Sequence, residues 1–293
     1  MSRLLIVDGH AYAYRAFHAI RELRAPDGRP TNAVFGFVKM LEKMRSALAP
    51  AHLIVVWDGG LDAGRVAALP EYKAQRPEMP DDLRSQLDGI GSYLAAAGIV
   101  SFCGDGVEAD DYIACLARAA AEKDWDVVIA SSDKDFMQLV SARIGLLNPG
   151  DKTGTVWTRE QVVAKAGVEP GQVADWLALM GDAVDNIPGV PGVGPKTAAA
   201  LLNQFGSAAA LLARLDEVKS EKLRASLLSS ADAVRRNLEL VGLRAVPCEF
   251  VPDRLAVQPP DREQLRSLFR LWGFNGLLAE LDALPVERQA ELI

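Results

Sequence analysis

Gly106-Val107-Glu108-Ala109-Asp110-Asp111 and, further on, Val127-Val128-Ile129-Ala130-Ser131-Ser132-Asp133-Lys134-Asp135 are the stretches around which this chain is organised. Glu108, Asp110 and Asp111 head a helix pattern running to Ala121, with Ile113, Leu116 and Ala117 on one face. A helix dipole favours negative charge in that first turn. Val127 to Ala130 is a continuous apolar run with β-branched members, as expected of a strand buried on both faces. Asp133 and Asp135 follow it directly. Carboxylates that converge in space repel one another and raise each other's pKa. Hard divalent cations with oxygen ligands resolve that repulsion. The stretch therefore reads as the middle of a two-metal site suited to phosphodiester hydrolysis.

Two other runs repeat the pattern. Leu4-Leu5-Ile6-Val7 ends in Asp8-Gly9, and Leu53-Ile54-Val55-Val56-Trp57 ends in Asp58-Gly59-Gly60. Three buried strands thus end in an Asp at or just past their carboxyl edge, where open α/β sheets place ligands. Between them, Ala33 to Leu48 has helical periodicity and stops before Pro50. Ile99–Cys103 and Ile144–Leu147 read as further strands. This alternation over residues 1–150 implies a mainly parallel sheet flanked by helices.

Residues 59–97 read differently. Glycines and prolines punctuate them, and Arg65, Tyr72, Lys73, Arg76 and Arg84 are spread along them. The segment is expected to be mobile and to grip substrate, with cations for phosphates and Tyr72 for stacking on a base, a merely solvated charged loop being the alternative. After Pro149-Gly150 the chain turns helical, starting from the capping-box pattern of Thr158 and Gln161. Asp182 and Asp185 share a face if their turn is helical and could then hold one ion together. In Gly189-Val190-Pro191-Gly192-Val193-Gly194-Pro195-Lys196-Thr197-Ala198, bare amides precede a helix that opens on Pro195. With Lys196 beside them they suit a phosphate, and the turn carbonyls suit a monovalent cation. Leu265, Leu268, Phe269 and Trp272 form an apolar stripe expected to be core.

At 293 residues the chain is long enough for two domains, and 49% hydrophobic with 24% charged residues is ordinary for a globular protein. Cys103, Cys115 and Cys248 are odd in number with no metal-like spacing, and read as buried free thiols in a reducing compartment. No apolar run reaches the length of a membrane span, and a strand pattern begins at Leu4. A cytoplasmic location without membrane partners is expected. The net charge of -7 argues against nucleic acid only superficially, since two divalent ions would bring it to -3 (−7 + 4).

In order and spacing, five stretches resemble the bacterial 5′-nuclease family: the 5′→3′ exonuclease domain of DNA polymerase I, its free-standing relatives and the flap endonucleases. They are Val7-Asp8-Gly9-His10 with Tyr14-Arg15-Ala16-Phe17-His18-Ala19; Tyr72-Lys73-Ala74-Gln75-Arg76-Pro77; Gly106 to Asp111; Ser131 to Phe136; and Gly181-Asp182-Ala183-Val184-Asp185-Asn186-Ile187-Pro188 running on to Ala198. The resemblance implies an α/β fold whose mainly parallel sheet is flanked by helices, a PIN-like core with a helical arch. It adds a C-terminal all-α helix-hairpin-helix (H3TH) domain. The expected division is 1–165 for the core, with the arch at about 59–97, and 166–293 for the helical domain.

Carried over by residue, the resemblance assigns Asp8, Asp58, Glu108, Asp110 and Asp111 to a first metal site and Asp133, Asp135, Asp182 and Asp185 to a second. It implies two Mg²⁺ ions, with Mn²⁺ able to substitute, and K⁺ at the hairpin near Gly189–Gly194. Lys73, Arg76 and Arg15 are the candidate catalytic cations. Tyr72, Arg65, Gly189, Gly192, Gly194, Lys196 and Thr197 are candidate DNA contacts. Where the family often carries lysines between Asp58 and Arg65, this chain has none, which implies weaker arch binding. The implied activity is structure-specific 5′→3′ exonuclease and 5′-flap endonuclease cleavage in primer removal and repair. The implied substrates are flapped, nicked or branched duplex, or an RNA primer on DNA, handled by a monomer that is either free-standing or a severed polymerase domain. Two alternatives stand beside it: a non-catalytic binder of branched DNA, and a metal-dependent small-molecule phosphatase using Asp133-Lys134-Asp135.

Overall fold

In the computed structural model, which describes residues 2–150 and 154–283, the three long apolar runs lie side by side in one sheet. Strands β1 (Arg3–Asp8), β2 (His52–Trp57), β3 (Val100–Cys103), β4 (Asp126–Ala130), β5 (Ile144–Leu147) and β6 (Val156–Trp157) pair in the order β3-β2-β1-β4-β5-β6. All neighbours are parallel except β5 and β6. Leu4, Ile6, Ile54, Val56, Val127 and Ile129 face one apolar core, and Leu5, Val7, Leu53, Val55, Val128 and Ala130 face the other. Burial on both faces is why these runs show no polar alternation. Edge strand β3 does alternate: Ser101 and Cys103 are exposed between the half-buried Val100 and Phe102, so Cys103 is not the buried thiol expected, and Cys115 and Cys248 are only half-buried.

Helices α1 (Gly9–Ala19), α2 (Asn32–Leu48), α3 (Ala63–Ala68), α4 (Asp81–Ala96) and α5 (Ala109–Ala121) fill the connections. Residues of α1, α2 and α4 build one core, and α5 covers the other face. The Asp8 carboxylate starts α1 by accepting from the Ala11 amide at 3.0 Å, so strand end and helix cap are one residue. The second core runs on without a break into α6 (Arg159–Ala166), α7 (Val173–Met180), α8 (Pro195–Phe205), α9 (Ala208–Ala213), α10 (Glu221–Ser229), α11 (Ala231–Val241) and α12 (Pro252–Leu255). The capping box of Thr158 and Gln161 is present at α6.

The last two helices depart from the expected division. Helices α13 (Arg262–Trp272) and α14 (Asn275–Ala283) leave the helical region and pack on the core of α2 and α4, burying Leu265, Phe269, Trp272, Phe274 and Leu277. The apolar stripe is core, as its spacing indicated, but core of the sheet-bearing part. Residues 284–293 of the expected helical domain lie outside the described residues. Among the described residues no helix is long and apolar enough to cross a membrane.

Phe269→Ala is expected to cost about 3–5 kcal/mol of stability, the usual range for truncating a fully packed aromatic. Urea unfolding measures it, and a loss below about 1 kcal/mol would mean that α13 is not part of that core.

Candidate metal centre

The strand order turns around β1, so the carboxyl ends of β1, β2 and β4 open onto one crevice. That crevice is a cleft of about 390 Å³ lined by Asp8, Asp58, Asp110, Asp133, Asp182 and Asp185, with His10, Tyr14, Ser132, Lys134 and Arg76 among its other walls. Asp8 accepts from the Ser131 hydroxyl at 2.7 Å, and the Asp133 amide donates to that same hydroxyl at 3.0 Å. Asp133 then caps a 3₁₀ turn (Lys134–Leu139) by accepting from the Asp135 amide at 2.9 Å. One serine thus fixes the carboxylates of two strands.

Asp182 and Asp185 reach the cleft by a route other than the helical turn expected for them. Gly181–Asp182 pairs antiparallel with Ile187–Pro188 as a minimal hairpin, β7 and β8. Gly181 (φ 79°) and Asn186 (φ 58°) take the left-handed conformations that this turn needs. A side chain at Gly181 would run into the backbone of Ile187 and Gly189. The tight turn swings both carboxylates inward, and ligand oxygens of Asp135, Asp182 and Asp185 lie within 4.8 Å of one another. No other acidic trio among the described residues gathers so closely.

The electrostatics follow from that convergence. Burial pushes Asp8 up to about 6, and the neighbouring charges of Asp133 and Asp58 add to it. Burial likewise raises Asp110, Asp133 and Asp135, and each of these acids is further raised by others in the set. Two cations offset part of the repulsion: Lys134 sits 2.8 Å from Asp182, and Arg76 sits 2.5 Å from Asp185. Asp135 Oδ1 is buried with no hydrogen-bond partner among the described residues. A buried carboxylate oxygen left bare among other acids is what a divalent cation with oxygen ligands would satisfy.

Several expected roles need correction. The segment expected to be mobile packs against the core, with Arg65, Leu69, Tyr72 and Lys73 all buried. Arg65 is no DNA contact: its guanidinium makes a bidentate pair with Asp111 (2.7 and 2.8 Å) and donates to the Leu240 and Gly242 carbonyls. Asp111 is thereby turned away from the cleft, where it also accepts from the Arg244 amide. Tyr72 is only 4% exposed and donates its hydroxyl to Glu108 at 3.1 Å, so its ring cannot stack on a base. Glu108 is held by Tyr72, by the Asp62 amide and by Lys73 at 2.5 Å. Burial pushes Glu108 up, but Lys73, the Asp62 amide and Arg65 together outweigh it and leave the carboxyl below its ordinary range. Lys73 takes a left-handed φ of 56° and donates its amide to the Asp185 carbonyl, tying this network to the β7–β8 turn. Neither Glu108 nor Lys73 lines the cleft. Arg15 is exposed on α1 and also lies outside it.

The turn after β2 is clasped to the turn before α5: the Gly59 amide donates to Val107, and the Gly106 amide donates to Gly59. A Cβ at Gly59 would fall 1.7 Å from the Gly104 carbonyl oxygen, so only glycine permits the clasp that sets Asp58 against the Glu108 stretch. At the far side, Gly192 and Gly194 are exposed before α8 and Lys196 is exposed in its first turn, Gly189 and Thr197 are half-buried, and the Trp176 indole N–H holds the turn through the Pro195 carbonyl at 3.0 Å. Sequence reasoning missed Lys134 as an ion-pair partner and Ser131 as a hydrogen-bond partner of the acids. Their places beside Asp133 were the available signal.

A family model described as "5′-3′ exonuclease, N-terminal resolvase-like domain" matches residues 3–167, and one described as "5′-3′ exonuclease, C-terminal SAM fold" matches residues 168–263. The chain is 38% identical over 291 residues to a 5′-3′ exonuclease of Aquifex aeolicus, covering 99% of this chain and 98% of that protein. To DNA polymerase I of Bacillus caldotenax it is 37% identical over 293 residues, covering 99% of this chain and 33% of the polymerase. It therefore spans about a third of the polymerase's length. Two solved structures share the fold. T5 5′-exonuclease with divalent metal ions (zinc) bound superposes with a TM-score of 0.69 at 24% identity, covering 92% of this chain and 99% of that one. The catalytic core of Rad2 in complex with DNA substrate gives 0.68 at 17%, covering 100% and 93%.

The raised Asp8 carboxyl has a measurable consequence. A folded-state pKa of about 6 against 3.8 unfolded costs metal-free protein nothing below about pH 3.8. The cost grows as pH rises through 6, to roughly 3 kcal/mol at pH 8. Asp8→Asn is therefore expected to raise the melting temperature in EDTA at pH 8, with roughly half the gain at pH 5. An Asn variant less stable than wild type at both pH values would contradict the assigned burial of charge.

Proposed function

The chain belongs to the 5′-3′ exonuclease family, and we propose that it acts as a metal-dependent 5′→3′ exonuclease and 5′-flap endonuclease on DNA. The observation that carries this reading is the bare, buried Asp135 oxygen gathered with Asp182 and Asp185 at the sheet's switch point. Those three residues, with Asp8, Asp58, Asp110 and Asp133, are the proposed ligands, and Glu108 lies at the head of the helix that carries Asp110. Two Mg²⁺ ions, with Mn²⁺ able to replace them, would supply an activated water and stabilise the leaving 3′ oxygen. The carboxylates hold and orient; none is needed as a nucleophile. Arg76, facing the cleft, is placed to hold a phosphate oxygen and so to neutralise charge on it. Lys73 acts indirectly in this reading, by holding Glu108 and the β7–β8 turn.

Duplex DNA would lie along the turn before α8. A Cβ at Gly192 or at Gly194 would have no atom of the described residues within 4 Å. Gly192 needs its glycine for a φ of 83°, whereas Gly194 has no conformational or internal packing reason to be glycine. Close approach of an outside backbone supplies one, and the α8 amides with Lys196 suit a phosphate there. Turn carbonyls between Gly189 and Gly194 suit K⁺. Flapped, nicked or branched ends are the favoured substrates, because unpairing to reach the cleft costs a few kcal/mol and is cheapest there. An RNA primer on DNA fits the same surface. The protein is proposed to work as a cytoplasmic monomer.

A 5′-end-labelled flap duplex in Mg²⁺ tests this directly. Release of the flap near the junction, lost in EDTA and in Asp133→Ala, is the expected result. Binding without product in Mg²⁺ or Mn²⁺ would favour the non-catalytic binder, and turnover of an aryl phosphate would favour the phosphatase. Lys196→Ala should weaken binding to all duplexes alike and lower the salt slope, log K against log salt, by about 1.

A further inference from the structure

His10 stands in the first turn of α1, two residues past Asp8, and lines the acidic cleft beside Asp8 and Asp58. Its orientation is fixed from two sides. The Asp58 amide donates to His10 Nδ1 at 3.1 Å, and the Trp57 ring meets the imidazole edge to face at 5.3 Å and 87°. The same indole closes off the neighbouring backbone, since a Cβ at Gly9 would lie 2.6 Å from it. A backbone N–H can only donate, so Nδ1 is an acceptor and the neutral ring carries its proton on Nε2. That Nε2–H has no partner among the described residues. Around it the cleft is lined by carboxylates, while the cleft cations Arg76 and Lys134 are engaged by Asp185 and Asp182.

We propose that His10 is a substrate-orienting residue whose Nε2–H donates to a non-bridging oxygen of the phosphate brought to the cleft. This rests on the phosphodiesterase reading of the cleft. A neutral donor suits the position: it adds no charge to compete for the carboxylates, and its geometry is set before substrate arrives.

Two substitutions separate this from a merely supporting role toward Asp58. The shorter amide of His10→Asn reaches where Nδ1 sits but not where Nε2 sits; His10→Gln reaches the Nε2 position and gives up the Nδ1 acceptor. If His10 orients phosphate, His10→Asn lowers kcat on a flap duplex by roughly 10–100-fold. Its Mn²⁺ affinity by calorimetry and its melting temperature stay at wild-type values, and His10→Gln regains most of the rate. If His10 only supports Asp58, the pattern inverts: His10→Asn is near wild type, while His10→Gln loses both rate and Mn²⁺ affinity. That inversion, or wild-type kcat in both variants, overturns the proposal. Failure of the wild-type protein to cleave at all would instead overturn the nuclease reading.

Discussion

Like-charge repulsion at the carboxyl edge of one sheet is the constraint that the rest of this molecule accommodates. Six aspartates of the cleft and the buried Asp135 are brought together by elements far apart in the chain: the ends of β1, β2 and β4, the first turn of α5, and the β7–β8 turn. Mutual repulsion and burial raise Asp8, Asp110, Asp133 and Asp135 together. Amides at some of these places would relieve the repulsion, so seven carboxylates gathered here point to a bound cation that offsets it.

Around that cluster the basic side chains divide into two kinds. Arg76 and Lys134 stand at the cleft, partly exposed, and pair with Asp185 and Asp182. Arg65 and Lys73 are buried and permanently engaged, with Asp111 and Glu108 respectively. The buried pairs act as joints: the Arg65 guanidinium also reaches the Leu240 and Gly242 carbonyls, and the Lys73 backbone amide donates to the Asp185 carbonyl. Through them the segment after β2, the head of α5 and the helical C-terminal part share one hydrogen-bonded network. Removing one partner of such a pair leaves an uncompensated buried charge, which holds the arrangement more firmly than the pair's net energy implies.

Much of this was legible in the sequence, for identifiable reasons. The runs at Leu4, Leu53 and Val127 declare strands buried on both faces because nothing polar interrupts them, and an Asp at or just past each end marks the ligand edge. Identity was easier to read than geometry at Asp182 and Asp185. Their spacing fits a helix, but left-handed Gly181 and Asn186 make a hairpin instead. Burial of Arg65 and Tyr72 was not legible at all. They sit in a glycine- and proline-punctuated segment that looks solvated, and their partners Asp111 and Glu108 lie 46 and 36 residues away. For α13 the stripe was readable but its docking face was not, since periodicity names the buried side and not the neighbour.

The most direct test of the central claim, that this repulsion is relieved by divalent cations, is anomalous diffraction from crystals of the protein equilibrated with Mn²⁺. The account predicts manganese peaks among Asp135, Asp182, Asp185 and the acids ending β1 and β4, with Lys134 and Arg76 displaced from their carboxylates. A cleft without anomalous density, in which both ion pairs persist, would contradict it.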